Sequence, residues 1–374
     1  MLPAAFTTRA SLATVLPSSL AALDGQANDL GLPRLEHVVV IVVDGLGAAA
    51  LRARSGHART LAPMLGKTTT IDAGFPTTTA AALATLTTGT APGEHGLVGY
   101  RVRDAAGRLT NQLSGWDAQM DPASWQRSRT VFERAAEQGV RARAIGLPKF
   151  KGSGFTAAVL RGAEFVGVQS LSERFETAAS IVAASGPGLT YLYVAELDSL
   201  AHARGWESSD WTAALETLDA LVASFARRLG PGRGALLTAD HGVVDVPESG
   251  HILYDTAPEL LEDVADVAGE PRILHLYTAP GASATAVAAR WRDAEGDRSW
   301  VATREEAVEA GWFGPTVDDE VAPRIGDVLI AARKRIAYYD GRDQQRTGRN
   351  MIGQHGSLTP EETRVPLLRF GAAG

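Results

Sequence analysis

Acidic and histidine side chains follow three apolar runs of the sequence, each at the point where the run ends. Asp44 follows VVVIVV, Asp240 and His241 follow ALLTA, and Asp198 follows LTYLYVAEL with His202 four residues later. In open α/β sheets, functional groups collect just beyond the carboxyl ends of the strands. Carboxylates and imidazoles are ligands of zinc and related divalent metals. The pattern therefore predicts a metal site at one edge of a sheet.

Each of these residues also has an ordinary structural interpretation. Aspartate is a common turn and helix-capping residue, so Asp44 by itself is weak evidence for chemistry. Asp198 and His202 lie within one helical turn, which suits a shared metal and also suits a surface pair. Asp240 and His241 are more telling, because adjacent polar side chains after a buried strand need a partner, and a divalent cation would satisfy both.

The stretch FPTTTAAALATLTTG, residues 75–89, is typical of a helix that begins after Pro76 and ends at Gly89. One of Thr77, Thr78 and Thr79 is then a natural N-cap, at the positive end of the helix where an anion is also stabilised. A threonine hydroxyl becomes a useful nucleophile when a base or a metal lowers its pKa. The stretch is therefore compatible both with a simple helix cap and with a reactive hydroxyl.

These side chains must be positioned by an alternation of strands and helices. Apolar runs with β-branched or aromatic residues predict buried strands at residues 37–43, 140–146, 189–195 and 235–239. Helical patterns lie between them, over residues 130–139 and 210–230. In the second helix, the residues expected to share one face are Trp211, Leu215, Leu218, Val222 and Phe225. This order predicts an α/β fold with a mostly parallel sheet and helices on both faces.

The chain changes character after a helix expected at about residues 257–267. Residues 271–315 predict a compact βαβα unit, in which RILHLY and RSWVA are strands and SATAVAARWRDA and TREEAVEAG are helices. We expect residues 271–322 to form a small inserted α+β cap. Residues 1–270 and 323–374 would then form one discontinuous catalytic core.

The composition narrows the class of protein. With 45% hydrophobic and 21% charged residues among 374, the chain is typical of a globular protein. A net charge of −7 disfavours binding to a nucleic-acid polymer, and without cysteine any metal must be held by histidine and carboxylates. The N-terminus is a poor secretory signal and the longest apolar run, residues 38–43, is too short to cross a membrane. A cytoplasmic protein is therefore expected.

Five blocks of the sequence resemble the type I phosphodiesterase and nucleotide pyrophosphatase branch of the alkaline phosphatase superfamily. In chain order they are VVDG (42–45), FPTTTAAALATLTTGTAPGEHG (75–96), ELDSLAH (196–202), TADHG (238–242) and GQHGSLTPEE (353–362). The resemblance implies an alkaline-phosphatase-like core and a metal-dependent hydrolase of phosphate diesters or nucleotide pyrophosphates. Its partner would be a small phosphorylated substrate, and we expect a monomer or a homodimer.

The resemblance also implies a site with two zinc ions, for which manganese or iron are alternatives. The family's ligands for one ion correspond to Asp198, His202 and His355. Those for the other ion correspond to Asp44, Asp240, His241 and the nucleophile. The family's nucleophile lies three residues after the proline and ten before the glycine, which selects Thr79. We therefore expect Thr79 to be the N-cap of its helix, and to form a covalent phosphoryl-threonine intermediate.

Departures from the family pattern leave the substrate open. Three alanines and Leu83 follow Thr79 where nucleotide pyrophosphatases have Phe-Pro-Asn-His, and Tyr100 lies near the position of an asparagine that donates to a phosphoryl oxygen. Tyr100 is therefore either a replacement donor or a packed aromatic ring. Lys149, Lys151 and Ser153 belong to a loop that either binds an anion or is simply solvated.

Two alternatives to the leading interpretation remain at this stage. The first is a phosphonoacetate-hydrolase-like or phosphomonoesterase activity on the same two metals. The second belongs to a different class, a non-catalytic metal-binding protein in which the three threonines only cap a helix.

Overall fold

The structure is a computed structural model that describes residues 2–3, 10–184, 186–344 and 348–374. Its helices are α1 (Leu12–Leu23), α2 (Ala48–Ala53), α3 (Thr79–Thr88), α4 (Pro92–His95), α5 (Pro122–Trp125), α6 (Val131–Glu137), α7 (Gly154–Val159), α8 (Leu171–Ala184), α9 (Glu196–Arg204), α10 (Ser209–Arg227), α11 (Ala284–Glu295), α12 (Arg304–Glu309) and α13 (Pro360–Thr363). Its strands are β1 (His37–Val43), β2 (Thr70–Asp72), β3 (Arg101–Arg103), β4 (Leu109–Asn111), β5 (Arg141–Gly146), β6 (Glu164–Gly167), β7 (Gly188–Val194), β8 (Arg233–Thr238), β9 (Val244–Asp245), β10 (His251–Leu253), β11 (Val264–Glu270), β12 (Ile273–Thr278), β13 (Ser299–Thr303), β14 (Val328–Ala332), β15 (Ala337–Tyr339), β16 (Gly353–Gln354) and β17 (Arg364–Gly371).

The central sheet has seven strands in the order β2, β17, β8, β1, β7, β5 and β6. The run from β8 to β6 is parallel, whereas β17 is antiparallel to both its neighbours. β1 lies in the middle, with Val40 opposite Tyr191 of β7 and Leu236 of β8. All seven residues of β1 are buried, which explains why its sequence is continuously apolar rather than alternating. The expected α/β fold with a mostly parallel sheet is confirmed.

The helices pack through the apolar faces that the sequence periodicity predicts. In α10 the five residues expected to share one face are all buried. Ser208 begins this helix by accepting a hydrogen bond from the main-chain N–H of Trp211. Helix α3 differs, because every one of its residues is buried. Among the described helices, none combines the length and hydropathy needed to span a membrane.

A second sheet contains four antiparallel strands in the order β11, β12, β14 and β13. The succession β12, α11, β13 and α12 confirms the βαβα order expected for residues 271–315. Trp291 of α11 packs with Leu276, Val301 and Ile330 of this sheet in an apolar core of its own. β11 and β14 lie outside residues 271–322, so the sheet extends beyond the segment expected to form the cap. The division of the chain into core and cap stays a prediction.

The prediction of a helix at about residues 257–267 is wrong. Pro258–Leu261 forms a short 3₁₀ helix, and the residues that follow form strand β11. β11 pairs with β12, so that Ala268 lies opposite His275. β-branched Val264 and Val267, followed by Gly269 with φ 84°, favour this extended pairing over a helix. The pairing partner lies in the next strand of the chain, and the local pattern around residue 260 does not show it.

Candidate metal centre and cavity

The carboxyl ends of β8, β1 and β7 lie side by side and carry the predicted acidic residues. Asp44 directly follows β1, Asp240 lies two residues after β8, and Asp198 is in the first turn of α9, which follows β7. Because the three strands are adjacent and parallel, their ends meet at one edge of the sheet. His355 reaches the same edge from β16, which pairs with β9 a few residues after His241.

The six predicted metal ligands form two groups of three at this edge. In each group, ligand atoms from the three side chains lie within 4.8 Å of one another. The first group is Asp198, His202 and His355. The second group is Asp44, Asp240 and His241. The two groups adjoin, because the rings of His241 and His355 stack with centroids 3.8 Å apart.

Thr79 lies beside the second group, at the beginning of α3. Its Oγ1 is 3.2 Å from Nε2 of His241. Thr78, not Thr79, is the N-cap, so the prediction that Thr79 caps the helix is wrong by one residue. The reason is that Thr78 keeps an extended backbone, with φ −118° and ψ 139°, and the helix begins only after it. Thr79 still lies at the helix N-terminus, where free main-chain N–H groups favour an anion.

The three histidines are oriented by the main chain. Each Nδ1 lies against a carbonyl oxygen, at 2.7 Å for His202 and Gly353, 2.8 Å for His355 and Thr77, and 3.3 Å for His241 and Gly242. A carbonyl oxygen can only accept, so Nδ1 carries the proton in each ring. The lone pair on Nε2 is then left for a metal, which is the usual arrangement of a metal-binding histidine.

The three aspartates supply the complementary charge. Each keeps one buried carboxylate oxygen without a hydrogen-bond partner in the described part of the chain, namely Asp44 Oδ1, Asp198 Oδ1 and Asp240 Oδ2. Buried carboxylate oxygens without partners are costly, because they have lost their water and gained nothing in exchange. Three carboxylates and three Nε2 atoms are a donor set that fits two divalent cations such as zinc, manganese or iron.

Burial and mutual repulsion shift the pKa values of these groups in the metal-free protein. Burial raises the pKa of Asp44 well above its usual range, and the charges of Asp240 and Asp198 raise it further. Burial also lowers the pKa of His355 well below its usual range, with a further contribution from the charge of His241. Both shifts favour the uncharged form of these two side chains when no cation is bound.

Asp198 and His202 behave as a charged pair. Their contact is 3.2 Å between Oδ2 and Nε2. Burial is the largest single influence and opposes both charges. The hydrogen bond and the charge attraction between the two side chains, together with smaller contributions from neighbouring groups, outweigh burial, so the pKa of Asp198 is lowered and that of His202 is raised. Asp198 is buried, so the alternative of an exposed surface pair does not describe this contact.

Two further residues at the centre were not predicted from the sequence. Tyr193, the second-last residue of β7, donates a hydrogen bond to Oδ2 of Asp44. Glu270, the last residue of β11, places Oε2 3.7 Å from Nδ1 of His355 and is almost fully buried. Inspection of residues just before each strand end would have found Tyr193. Glu270 was hidden because the segment before it was expected to be a helix.

A cavity of about 1460 Å³ opens beside both groups of ligands. Thr79 and Tyr100 line it, although the Tyr100 hydroxyl makes no hydrogen bond to either group within the described residues. Lys149 and Ser153 line it as well, whereas Lys151 is an exposed residue outside the cavity wall. Ser153 accepts a hydrogen bond from the N–H of Thr156 and so caps α7.

Comparison with known proteins agrees with this architecture. The family model described as type I phosphodiesterase/nucleotide pyrophosphatase matches residues 38–358. The structure resembles phosphonoacetate hydrolase from Sinorhizobium meliloti in complex with phosphonoacetate, with a TM-score of 0.69, 18% identity and coverage of 90% of this chain and 91% of that chain. It also resembles murine ectonucleotide pyrophosphatase/phosphodiesterase 5, with a TM-score of 0.66, 15% identity and coverage of 89% and 88%.

An inactive threonine-to-alanine variant of the murine protein, in complex with AMP, gives a TM-score of 0.65 at 14% identity, with coverage of 90% and 88%. No curated protein matches the sequence of this chain. The family match covers most of the chain, and the described fold is the one these solved structures share. The protein therefore belongs to the type I phosphodiesterase/nucleotide pyrophosphatase family, and is a hydrolase of that type.

Proposed function

We propose that the protein hydrolyses phosphate diesters or nucleotide pyrophosphates at a two-zinc centre, with Thr79 as the nucleophile. The observation that carries this proposal is the position of the Thr79 hydroxyl, 3.2 Å from His241 where the two groups of ligands adjoin. A residue that only capped the helix would have no reason to contact a side chain of the candidate metal centre. The threonine-to-alanine variant of the murine relative, which is inactive, supports the same role.

Some residues of the centre would hold the ions, and others would orient the side chains that do so. Asp198, His202 and His355 would hold one ion. Asp44, Asp240, His241 and Thr79 would hold the other. Bound zinc would supply positive charge that lowers the pKa of the threonine hydroxyl and offsets the charge of the phosphoryl group. The main-chain carbonyls behind the histidines keep Nε2 directed at the centre.

The chemistry needs two displacements at phosphorus. In the first, the Thr79 hydroxyl gives its proton to solvent and its oxygen forms a bond to phosphorus, while the bond to the leaving oxygen breaks and that oxygen keeps both electrons. In the second, a water oxygen forms a bond to phosphorus and the bond to Thr79 breaks, after which the threonine oxygen is reprotonated. The N-terminus of α3, where Thr79 lies, would favour the charged phosphoryl group throughout, because free main-chain N–H groups at the start of a helix stabilise an anion. Two inversions give net retention at phosphorus.

The shape of the cavity favours a substrate with a bulky organic group. Its volume of about 1460 Å³ far exceeds that of a phosphoryl group. Part of its wall consists of the half-buried rings of Trp116, Phe150 and Phe155. Half-buried rings lining a cavity gain free energy when an apolar group covers them. A diester keeps one organic group on phosphorus while it loses the other, and the retained group would pack against these rings.

A phosphonoacetate-hydrolase-like or phosphomonoesterase activity is the second candidate. It is favoured by Lys149, which lines the cavity and would pair with an anionic group of a small substrate. The Sinorhizobium meliloti relative, which was solved with phosphonoacetate, supports this alternative.

Substrate profiling of the zinc-loaded protein separates the two candidates. We expect kcat/KM for bis-p-nitrophenyl phosphate to exceed that for p-nitrophenyl phosphate by at least about tenfold, a difference of about 1.4 kcal/mol in transition-state binding. The reverse order, or release of inorganic phosphate from phosphonoacetate at a higher kcat/KM than either ester, would contradict the diester assignment. Absence of turnover on all three substrates, with zinc bound, would contradict the whole proposal.

A further inference from the structure

We propose that Thr77 is the positioning residue that holds the metal ligand His355 in place, an inference that rests on the proposed function. Thr77 lies two residues before the nucleophile, and its side chain is fully buried. Its main-chain carbonyl oxygen accepts the hydrogen bond from Nδ1 of His355 at 2.8 Å. One residue therefore fixes the proton position of His355 and belongs to the same short segment as Thr79.

The Thr77 hydroxyl makes two of the contacts that hold the loop around His355. It donates to the carbonyl oxygen of Ser357 at 2.7 Å and accepts from the N–H of Gly356 at 3.0 Å. The main-chain N–H of Thr77 donates to the carbonyl oxygen of Gly356 at 3.3 Å. With the contact from His355, Thr77 makes four hydrogen bonds to three consecutive residues. Donor and acceptor are both used, so an isosteric valine cannot replace the hydroxyl.

The loop cannot hold this position through its own backbone. Gly356 has φ 129°, a conformation that other residues rarely adopt, and a Cβ there would lie 2.9 Å from the Glu270 side chain. The glycine gives the loop freedom, so external hydrogen bonds must restrict it. Thr77 restricts it on the side of the metal centre.

The far end of the loop is anchored separately. The N–H of Ser357 donates to Glu362 at 2.9 Å, and its hydroxyl donates to the carbonyl oxygen of Ala332 at 2.6 Å. Glu362 is itself paired with Arg272, and both side chains are fully buried. These contacts hold Ser357 even when the Thr77 hydroxyl is removed. Loss of that hydroxyl should therefore loosen His355 without unfolding the loop.

Loss of the Thr77 hydroxyl should weaken the binding of only one of the two ions. His355 contributes to the group with Asp198 and His202. Thr77→Val keeps the carbonyl that accepts from His355 and removes the hydroxyl contacts that hold the loop. Removal of a group that supports a metal ligand typically lowers metal affinity about 10–100-fold. The second group does not include His355. A general loss of stability would weaken both ions equally and would also lower the thermal stability of the metal-free protein.

The test compares zinc binding by the full chain and three variants, through metal analysis and competition with a chromophoric chelator. We expect the wild type to bind two zinc ions and Thr77→Val to bind one of them about 10–100-fold more weakly. Thr77→Ser keeps the hydroxyl and should restore wild-type affinity. The matched control is Thr87→Val, because the Thr87 hydroxyl is equally buried but bonds to Leu83 within α3.

The outcomes separate this inference from the proposed function. Two zinc ions bound with unchanged affinity in Thr77→Val would overturn the role of Thr77 alone. A wild type that binds no zinc would overturn the proposed function and this inference with it. If Thr77→Val does not fold, Thr77→Ala removes the same hydroxyl without adding a second methyl group, and the same selective weakening of one ion is expected. Equal weakening of both ions in either variant would also overturn it.

Discussion

The imidazole rings of His241 and His355 stack face to face, with centroids 3.8 Å apart and planes inclined by 19°. Two protonated imidazoles at that distance would repel each other. Burial is the main cause of the low pKa of His355, and the charge of His241 lowers that pKa further. Each ring belongs to a different group of ligands. The stack therefore brings the two groups into contact and favours neutral rings, the form that binds a metal.

Replacement of Thr79 by alanine should abolish hydrolysis while the protein stays folded. A substitution that removes the covalent nucleophile typically lowers kcat by at least about 10⁴-fold. Thr79→Ser should retain part of the activity, because it keeps a hydroxyl at the same position. Wild type quenched with acid during turnover of a diester should contain a Thr79 peptide that carries the phosphoryl group with its retained organic substituent, as measured by mass spectrometry. Thr78→Ala is the neighbouring control, and loss of activity in that variant with retention in Thr79→Ala would reject the assignment.

Removal of metal should destabilise the wild type. Zinc at about 100 times its dissociation constant stabilises a folded protein by about 2.7 kcal/mol, and a chelator removes that contribution. The physical reason is the set of three buried aspartates, each of which has a carboxylate oxygen without a hydrogen bond in the described part of the chain. Thermal unfolding with and without chelator measures the effect, and re-addition of zinc should reverse it.

The variant Asp240→Asn should show a smaller response to the chelator, because it lacks one ligand. Asp219→Asn provides the control, since Asp219 is also buried but accepts hydrogen bonds from the main-chain N–H groups of Thr60 and Leu61. An equal chelator response in Asp240→Asn and Asp219→Asn would argue against metal binding by Asp240.

Tyr193→Phe should weaken metal binding while leaving the strand intact. The hydroxyl donates to Asp44, and the ring packs edge-on against Phe150 and parallel to Tyr191. Phenylalanine keeps the ring contacts and removes only the hydrogen bond that orients the carboxylate. We expect zinc affinity to fall about tenfold or more. Tyr191→Phe is the control on the same strand, and an equal loss there would show that the Asp44 contact is not responsible.

Acidification should destabilise the metal-free protein partly through His95. Burial lowers the pKa of His95 from 6.5 to about 3, and Arg324 contributes in the same direction. Between these values the unfolded chain binds a proton that the folded chain does not, so this stability is present above pH 6.5 and is lost as the pH falls. The loss is about 1.4 kcal/mol per pH unit, or about 2 kcal/mol between pH 6.5 and about pH 5.

The variant His95→Gln removes this titration. Its free energy of unfolding should therefore fall by about 2 kcal/mol less than that of the wild type over the same pH interval. Urea unfolding in the presence of chelator at the two pH values gives the comparison. His57→Gln is the control, because His57 is exposed and pairs with Glu216 on the surface. Parallel loss of stability in wild type and His95→Gln would contradict the argument.

The neighbourhood of the three threonines shows where sequence reasoning succeeds and stops. The spacing of the family motif selected Thr79, and the structure places that hydroxyl beside His241. The same spacing gave no indication of a role for Thr77. Its four hydrogen bonds go to residues about 280 positions away in the sequence. It also placed the N-cap one residue too late, because the capping residue is decided by backbone angles that three identical residues do not reveal.

The position of Glu270 beside the centre was also hard to predict, because it depends on the pairing of two strands. Glu270 lies at the end of β11, and that strand exists through its pairing with β12. Strand pairing is a contact between two backbone segments, whereas periodicity reports only which side of one segment is apolar. A segment with weak periodicity was therefore assigned to a helix, and the buried carboxylate beside His355 was missed.

By itself, the sequence determined the alternation of strands and helices, the mostly parallel sheet and the identity of the six ligand candidates. Five of the six could be found because buried parallel strands are continuously apolar, and polar residues at their carboxyl ends stand out against them. The sixth, His355, was implied only by the family resemblance. The tertiary structure alone decided which side chains contact the ligands, as Tyr193 does for Asp44 and Thr77 does for His355. Those contacts join residues far apart in the chain, and their distances and directions exist only once the sheet has assembled.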